Sequence, residues 1–318
     1  VVLFVALTFV PDYYCPDWSD YKVIDIETYS PMMSIITIRT TTPDAKWWQE
    51  GRSLEIDTRR FRSLWKRGPW TLMLSDHMGK FPRMYGNVAS YTPLPPLKGQ
   101  SPAKVRILVH MEEDDDAATK LVNEKASKKG AFIRMASQPW IWTKHHARIP
   151  NDIQQAVIFA SGPTGIAPML QTIHTLLEAR KGDGIVRRTP DIHVVWFRHN
   201  PKPAVVDADG SSQSHNQSTA DEIAGRELER LHLLHPDRLV VESIDAENMF
   251  IHGQAVNAIE SSRQSSKLLL ISGSTSLSEY LSGYREGRSH HEDGPSILTK
   301  ATQAGWRILD FSATKVCN

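Results

Sequence analysis

Three short strings hold the residues of this chain whose types and spacing could do chemistry. The first is Ser161-Gly162-Pro163-Thr164-Gly165-Ile166-Ala167-Pro168-Met169, set between an apolar run at 156–160 and a helix-like pattern. Glycines at such a strand-to-helix turn let the backbone come close to a ligand, and the free N–H groups at the helix start attract phosphate. A dinucleotide pyrophosphate is the natural occupant. The spacing is neither Gly-x-Gly-x-x-Gly nor a P-loop, which would need a Lys. The plain alternative is a tight turn whose glycines serve geometry only.

The second string is Ser90-Tyr91-Thr92-Pro93-Leu94-Pro95-Pro96. Its aromatic ring offers a flat apolar wall, and its hydroxyl can hydrogen-bond a heteroatom of a ring stacked there. The plain alternative is a Pro-rich loop with one buried Tyr. The third string, Lys267-Leu268-Leu269-Leu270-Ile271-Ser272-Gly273, reads as a late strand ending in Ser-Gly before a helix.

Other constellations point away from chemistry. The pairs His145-His146 and His290-His291 put neighbouring rings on opposite faces of any strand, and no Cys or carboxylate spacing completes a metal site. No Gly-x-Ser-x-Gly is present, which disfavours a serine hydrolase. The acidic run at 112–116 reads as a solvated, self-repelling loop. Tryptophans such as Trp47, Trp48, Trp140 and Trp142 read as buried apolar area, with no role assigned.

The elements that must position these strings differ between the two halves. Before residue 117, Ile- and Val-rich runs at 21–27 and 34–39 read as a hairpin or meander, with further strands at 70–74 and 105–110. Frequent Pro and Gly favour a barrel or sandwich over an α/β layer. After residue 152, strands at 156–160, 192–197, 239–242 and 267–271 alternate with helices, as in a parallel sheet. In the first helix Met169, Leu170, Ile173, Leu176 and Leu177 recur at spacings of three and four; Pro168 suits its first position and Gly182 its end. Further helices are expected at 220–233 and 276–284. The polar stretch 201–219 reads as a surface insertion.

A length of 318 residues predicts two domains. The net charge of +1, from 37 basic and 36 acidic residues, disfavours nucleic-acid binding. Cys15 and Cys317 are the only cysteines, so a multi-disulfide scaffold is excluded. Residues 1–10 are apolar, whereas a bilayer-spanning helix takes roughly 20 residues; the run is either the tail of a membrane anchor or a first strand ended by Pro11.

Gly162-Pro163-Thr164-Gly165-Ile166-Ala167-Pro168-Met169 resembles the Gly-Gly-Thr-Gly-Ile-Ala-Pro-Met signature of the ferredoxin-reductase and cytochrome b5-reductase superfamily. Ser90 to Pro96 resembles that family's flavin motif Arg-x-Tyr-Ser/Thr-x-Pro, and Lys267 to Gly273 its last element beside the nicotinamide. The three occur in the family's order. The resemblance implies an FAD-binding antiparallel β-barrel at 19–150, after an apolar segment at 1–18, and an NAD(P)-binding α/β domain with a parallel sheet at 151–318.

It further implies that Tyr91 packs on the flavin, that Thr92, the catalytic candidate, approaches its N5 edge, and that Pro93, Val109, His110 and Thr119 contribute to the FAD site. Gly162, Thr164, Gly165 and Ile166 would face the nucleotide phosphates, and Ser272 and Gly273 the nicotinamide. Where the family has Arg, this chain has Ala89, with Arg83 upstream; Pro163 replaces a usual Gly. Arg198 follows the second parallel strand, where a 2′-phosphate is read, and leaves NADH against NADPH open.

The implied activity is NAD(P)H-dependent flavoprotein oxidoreduction. The narrower likeness, through Tyr-Thr-Pro-Leu-Pro-Pro, is to fungal mitochondrial flavoproteins related to the cytochrome c import factor. It implies a haem-protein electron acceptor and an anchor upstream of residue 11 in the mitochondrial inner membrane, facing the intermembrane space; a cytoplasmic protein is the alternative. A second expectation, grounded on Ala89, is a degenerate member with weak flavin binding that acts as an assembly or import factor.

Overall fold

The computed structural model of the chain describes residues 18–40, 64–66, 68–76, 87–100, 104–111, 115, 117–136, 149–179, 189–198, 213–245, 254–283 and 296–312. The apolar run at 1–10, both His pairs, Arg83, residues 201–212 and all of the acidic run but Asp115 lie outside them, as do Trp47, Trp48, Trp140 and Trp142. By contacts the chain divides into two compact units, residues 1–61 with 70–143 and residues 62–69 with 144–318. Among the described residues no helix is long and apolar enough to cross a membrane.

The first unit is antiparallel. Strands β1 (Trp18–Ser30) and β2 (Met33–Thr40) form a hairpin across Pro31 and Met32, and β3 (Leu72–Ser75), β4 (Val88–Tyr91), β5 (Pro93–Leu94), β6 (Lys104–His110) and β7 (Phe132–Ala136) complete a sheet. Their order is β4-β3-β7-β1-β2-β6-β5. The two ends of that order, β4 and β5, are separated in the chain by Thr92 alone. Consecutive Cα atoms are about 3.8 Å apart, so the first and last strands must meet and the sheet must curl into a barrel. Tyr21, Val23, Ile36, Ile38, Leu74 and Ile107 lie on one face of this sheet and are fully buried. Helix α1 (Ala117–Ala126) packs against β4 and β7.

The second unit carries a parallel sheet of β8 (Gln155–Ser161), β9 (Asp191–Arg198), β10 (Leu239–Asp245), β11 (Lys267–Gly273) and β12 (Arg307–Ser312), in the order β10-β9-β8-β11-β12. Both faces are covered, which explains why these strands read as continuous apolar runs. On one face Val157, Phe159, Val195, Phe197, Leu269 and Ile271 cluster with Ile259 of α4 (Gln254–Ser261), Leu277 and Leu281 of α5 (Thr275–Ser282), and Ala301 of α6 (Ile297–Gln303). Helices α2 (Gly162–His174) and α3 (Gln213–Leu234) pack against the same strands without joining that cluster, so they cover the other face. Each apolar side chain buried here stabilises by about 1.5–3 kcal/mol.

Two helix starts differ from the sequence expectation. Helix α2 begins at Gly162 rather than Pro168, because a positive φ of 62° at Gly162 turns the chain straight from β8 into the helix. Pro163 then lies in the first turn and Pro168 inside the helix, where it forfeits a hydrogen bond to the Thr164 carbonyl. The last turn widens to a π-helical turn at Thr175–Ala179. Helix α3 begins at Gln213 rather than 220, so part of the expected insertion is helical. Extending an existing helix through Ser, Asn and His costs at most about 0.7 kcal/mol per residue relative to Ala, much less than starting a new one.

Candidate functional site

In the second unit the strand order, counted by sequence within that unit, is 3-2-1-4-5, and it reverses between β8 and β11. Helix α2 leaves β8 on one face and α5 leaves β11 on the other, so a crevice opens beyond the carboxyl ends of these two strands. The first and third strings supply the two turns that line it.

The two turns are in backbone contact. A Cβ on Gly165 would lie 2.6 Å from the Ser272 carbonyl oxygen, and one on Gly273, where φ is 137°, would lie 2.3 Å from the Ser161 carbonyl oxygen and 2.5 Å from Ser161 Oγ. Ser272 is fully buried and its hydroxyl donates to the Gly165 carbonyl at 3.1 Å. Ile166 is fully buried as well. Gly165, Ser272 and Gly273 therefore bring the start of α2 against the end of β11. Gly162 and Thr164 are different: Thr164 is exposed, and among the described residues no heavy atom lies within 4 Å of a Cβ built on Gly162, apart from its chain neighbours and its own helix backbone.

The electrostatics at the start of α2 favour an anion. Neither α2 nor α5 has an acidic residue in its first turn, and neither Ser161 nor Ser274, the N-cap residues, makes a side-chain cap bond. The N–H groups at the two helix starts thus keep their positive partial charge. The Ser161 hydroxyl is buried and has no hydrogen-bond partner among the described residues, a feature that the sequence does not signal. The donors present fit a dinucleotide phosphate.

In the first unit the second string lies at the barrel seam, with Tyr91 ending β4, Thr92 half-buried, and Pro93 opening β5. The Tyr91 hydroxyl donates to Oδ1 of Asn123, which is fully buried in α1. Asn123 Nδ2 in turn donates to the His110 carbonyl at 3.4 Å. One amide therefore ties the string to α1 and to the end of β6. Val109 is a core residue of β6, and His110 and Thr119 are half-buried.

Ala89 is buried opposite Leu74, so β4 carries no cation. Arg106, opposite Leu94 on β6, is buried with its guanidinium donating to the Pro95 carbonyl at 3.3 Å. A charged residue inside the apolar run at 105–109 was the sequence signal for it. The seam supplies a ring and a hydroxyl suited to a flavin, while the place of the motif Arg is filled by a methyl group. Among the described residues no cluster of three or more His, Cys, Asp or Glu could hold a metal ion.

No protein-family model matches the chain, and no curated protein matches it. Solved structures do. The cytochrome b5 reductase domain of Ulva prolifera nitrate reductase is 11% identical, with a TM-score of 0.53 over 94% of this chain and 99% of that one. Ferredoxin-NADP+ reductase from Plasmodium falciparum, solved with 2'P-AMP, is 11% identical, with a TM-score of 0.50 over 86% and 93%. An intact type IV self-sufficient cytochrome P450 monooxygenase is 14% identical, with a TM-score of 0.50 over 93% of this chain and 28% of that one. The narrower likeness to fungal mitochondrial proteins finds no support among them. At such identities the likeness concerns architecture: the chain has the two-domain fold of ferredoxin-reductase-like proteins, an antiparallel barrel followed by a parallel-sheet unit.

Proposed function

We propose that this chain is an NAD(P)H-dependent flavoprotein oxidoreductase, with FAD held on the barrel unit and the nicotinamide nucleotide on the parallel-sheet unit. The observation that carries this reading is the reversal of strand order between β8 and β11, flanked by two helix starts without side-chain caps or acidic residues. The fold shared with proteins described as a cytochrome b5 reductase domain and a ferredoxin-NADP+ reductase supports it.

In this reading Gly162 and Thr164 meet the nucleotide phosphates, while Gly165, Ile166, Ser272 and Gly273 keep the crevice in shape. Tyr91, Thr92 and Pro93 orient the flavin ring, with Thr92 nearest its reacting edge, and Val109, His110 and Thr119 complete that site. When bound, the cofactors supply hydride transfer from nicotinamide to flavin and onward delivery of single electrons. The chain contributes orientation of the rings and exclusion of water. A haem protein as acceptor, and a place at the mitochondrial inner membrane, belong to the same proposal; the occurrence of this fold within a self-sufficient cytochrome P450 monooxygenase favours the acceptor class.

A second reading rests on Ala89 and on the engagement of the Tyr91 hydroxyl by Asn123: a member that keeps the fold, binds flavin weakly and acts through contacts with a partner protein. The visible absorption spectrum of the purified protein, followed by anaerobic addition of NADH and then NADPH, decides between them. Flavin bands that bleach on addition establish the reductase and its preferred nucleotide. A colourless protein that takes up no added FAD supports the second reading.

A further inference from the structure

The hydroxyl of Ser161 has no role in the fold as it stands. Ser161 is 7% exposed, its Oγ has no hydrogen-bond partner among the described residues, and its backbone (φ −151°, ψ 151°) has the extended geometry of an N-cap. An N-cap serine normally accepts from the N–H of the second or third helical residue. The second residue of α2 is Pro163, which has no N–H, and no bond from the third is made. An orphaned hydroxyl in the interior costs about 1–3 kcal/mol. A chain that gained nothing from it would be better served by Ala.

Its surroundings indicate what it meets. Ser161 ends β8 at the point where the strand order reverses, and it caps the α2 helix start, whose first turn contains no acidic residue. Beside it the space above Gly162 is open. On its other side any side chain at position 273 would strike Oγ, so Gly273 preserves the room in which the hydroxyl sits. The neighbouring Ser272 hydroxyl is engaged by the Gly165 carbonyl, whereas the buried Ser161 hydroxyl has no partner among the described residues. A donor beside the positive end of a helix, with no carboxylate in the first turn, complements an anionic oxygen.

We propose that Ser161 is a positioning residue for the dinucleotide, its Oγ–H donating to a pyrophosphate oxygen that also meets the N–H groups at the start of α2. This rests on the nucleotide reading above. It gives Ser272 and Ser161 separate roles: Ser272 maintains the fold, and Ser161 recognises the ligand.

The test uses the full chain and Ser161→Ala, with affinities for NADH and NADPH taken from reduced-nicotinamide fluorescence and for ADP-ribose from calorimetry, alongside thermal unfolding without ligand. Loss of one charge-assisted hydrogen bond predicts roughly ten- to hundredfold weaker binding, by the same factor for all three ligands. The Tm of the ligand-free variant stays level or rises, an outcome that a structural hydroxyl would not give. Ser161→Cys, which keeps the volume with a weaker donor, gives an intermediate loss. Unchanged affinities overturn the proposal, as does a loss confined to NADH and NADPH, which would move the contact to the nicotinamide end. Failure of the unmodified chain to bind any of the three overturns the nucleotide reading itself and is distinguished from both.

Discussion

Gly165 and Ser272 are locked together from both sides: the Ser272 hydroxyl donates to the Gly165 carbonyl at 3.1 Å, and a Cβ on Gly165 would come within 2.6 Å of the Ser272 carbonyl oxygen. The obstructing atoms are backbone at the end of a fully buried strand, so they cannot step aside. Gly165→Ala should therefore destabilise by about 1–3 kcal/mol, as overpacking does, and displace α2 enough to weaken nucleotide binding. Chemical denaturation with a nucleotide titration checks both effects. A variant as stable as the parent would show that α2 is not held by this contact.

Gly162 should respond differently, because its constraint is conformational. It has open space around it but a φ of 62°, so an added Cβ meets the left-handed penalty of about 1–2 kcal/mol and no clash. Gly162→Asn, which tolerates that region, should lose less stability than Gly162→Ala. Comparing the two melting temperatures measures the backbone contribution directly.

At the barrel seam Tyr91→Phe would keep the ring and strand the buried Asn123 oxygen. The expected loss is about 1–3 kcal/mol of stability with flavin stacking retained, whereas Tyr91→Ala should lose the flavin as well. Thermal unfolding and flavin retention on desalting separate these outcomes. Equal flavin loss in both would place the hydroxyl, not the ring, at the centre of binding.

Burial holds His174, near the end of α2, at about 4 instead of its usual 6.5; the carboxylate of Glu178 opposes that shift and Arg230 adds to it. Its ring packs edge-on to Trp65 at 5.4 Å between centroids. The folded chain keeps this ring neutral, while the unfolded chain protonates it near 6.5, so its contribution to stability is full above that pH. It is lost as pH falls through about 4, and the loss is on the order of 3 kcal/mol at most. His174→Gln, neutral throughout, should flatten the dependence of Tm on pH between 4 and 6.5 relative to the parent. Identical slopes would rule His174 out as the group responsible.

The strands that were legible in the sequence are those whose apolar run is long enough to state its own burial, β2, β6, β8, β9 and β11 among them. Strand β5 is two residues, and β4 reads Val88-Ala89-Ser90-Tyr91; both exist because distant partners pair with them, β6 with β5 and β3 with β4. The helices α4 and α6 are eight and seven residues long, too short to show a period of their own. In the crevice the glycines were visible as letters, but their separate duties were not. Gly165 answers to a strand 107 positions away, and Tyr91 to an amide 32 positions away. No local pattern encodes such partners.

Thr92 links a strand paired with β3 to one paired with β6. Its position is therefore fixed by two independent registers. A slip of one residue in either pairing would turn alternate side chains to the wrong face and pull the other pairing out of step. The barrel thus verifies its own alignment at the residue nearest the proposed flavin, and a misregistered fold would be recognised there before anywhere else.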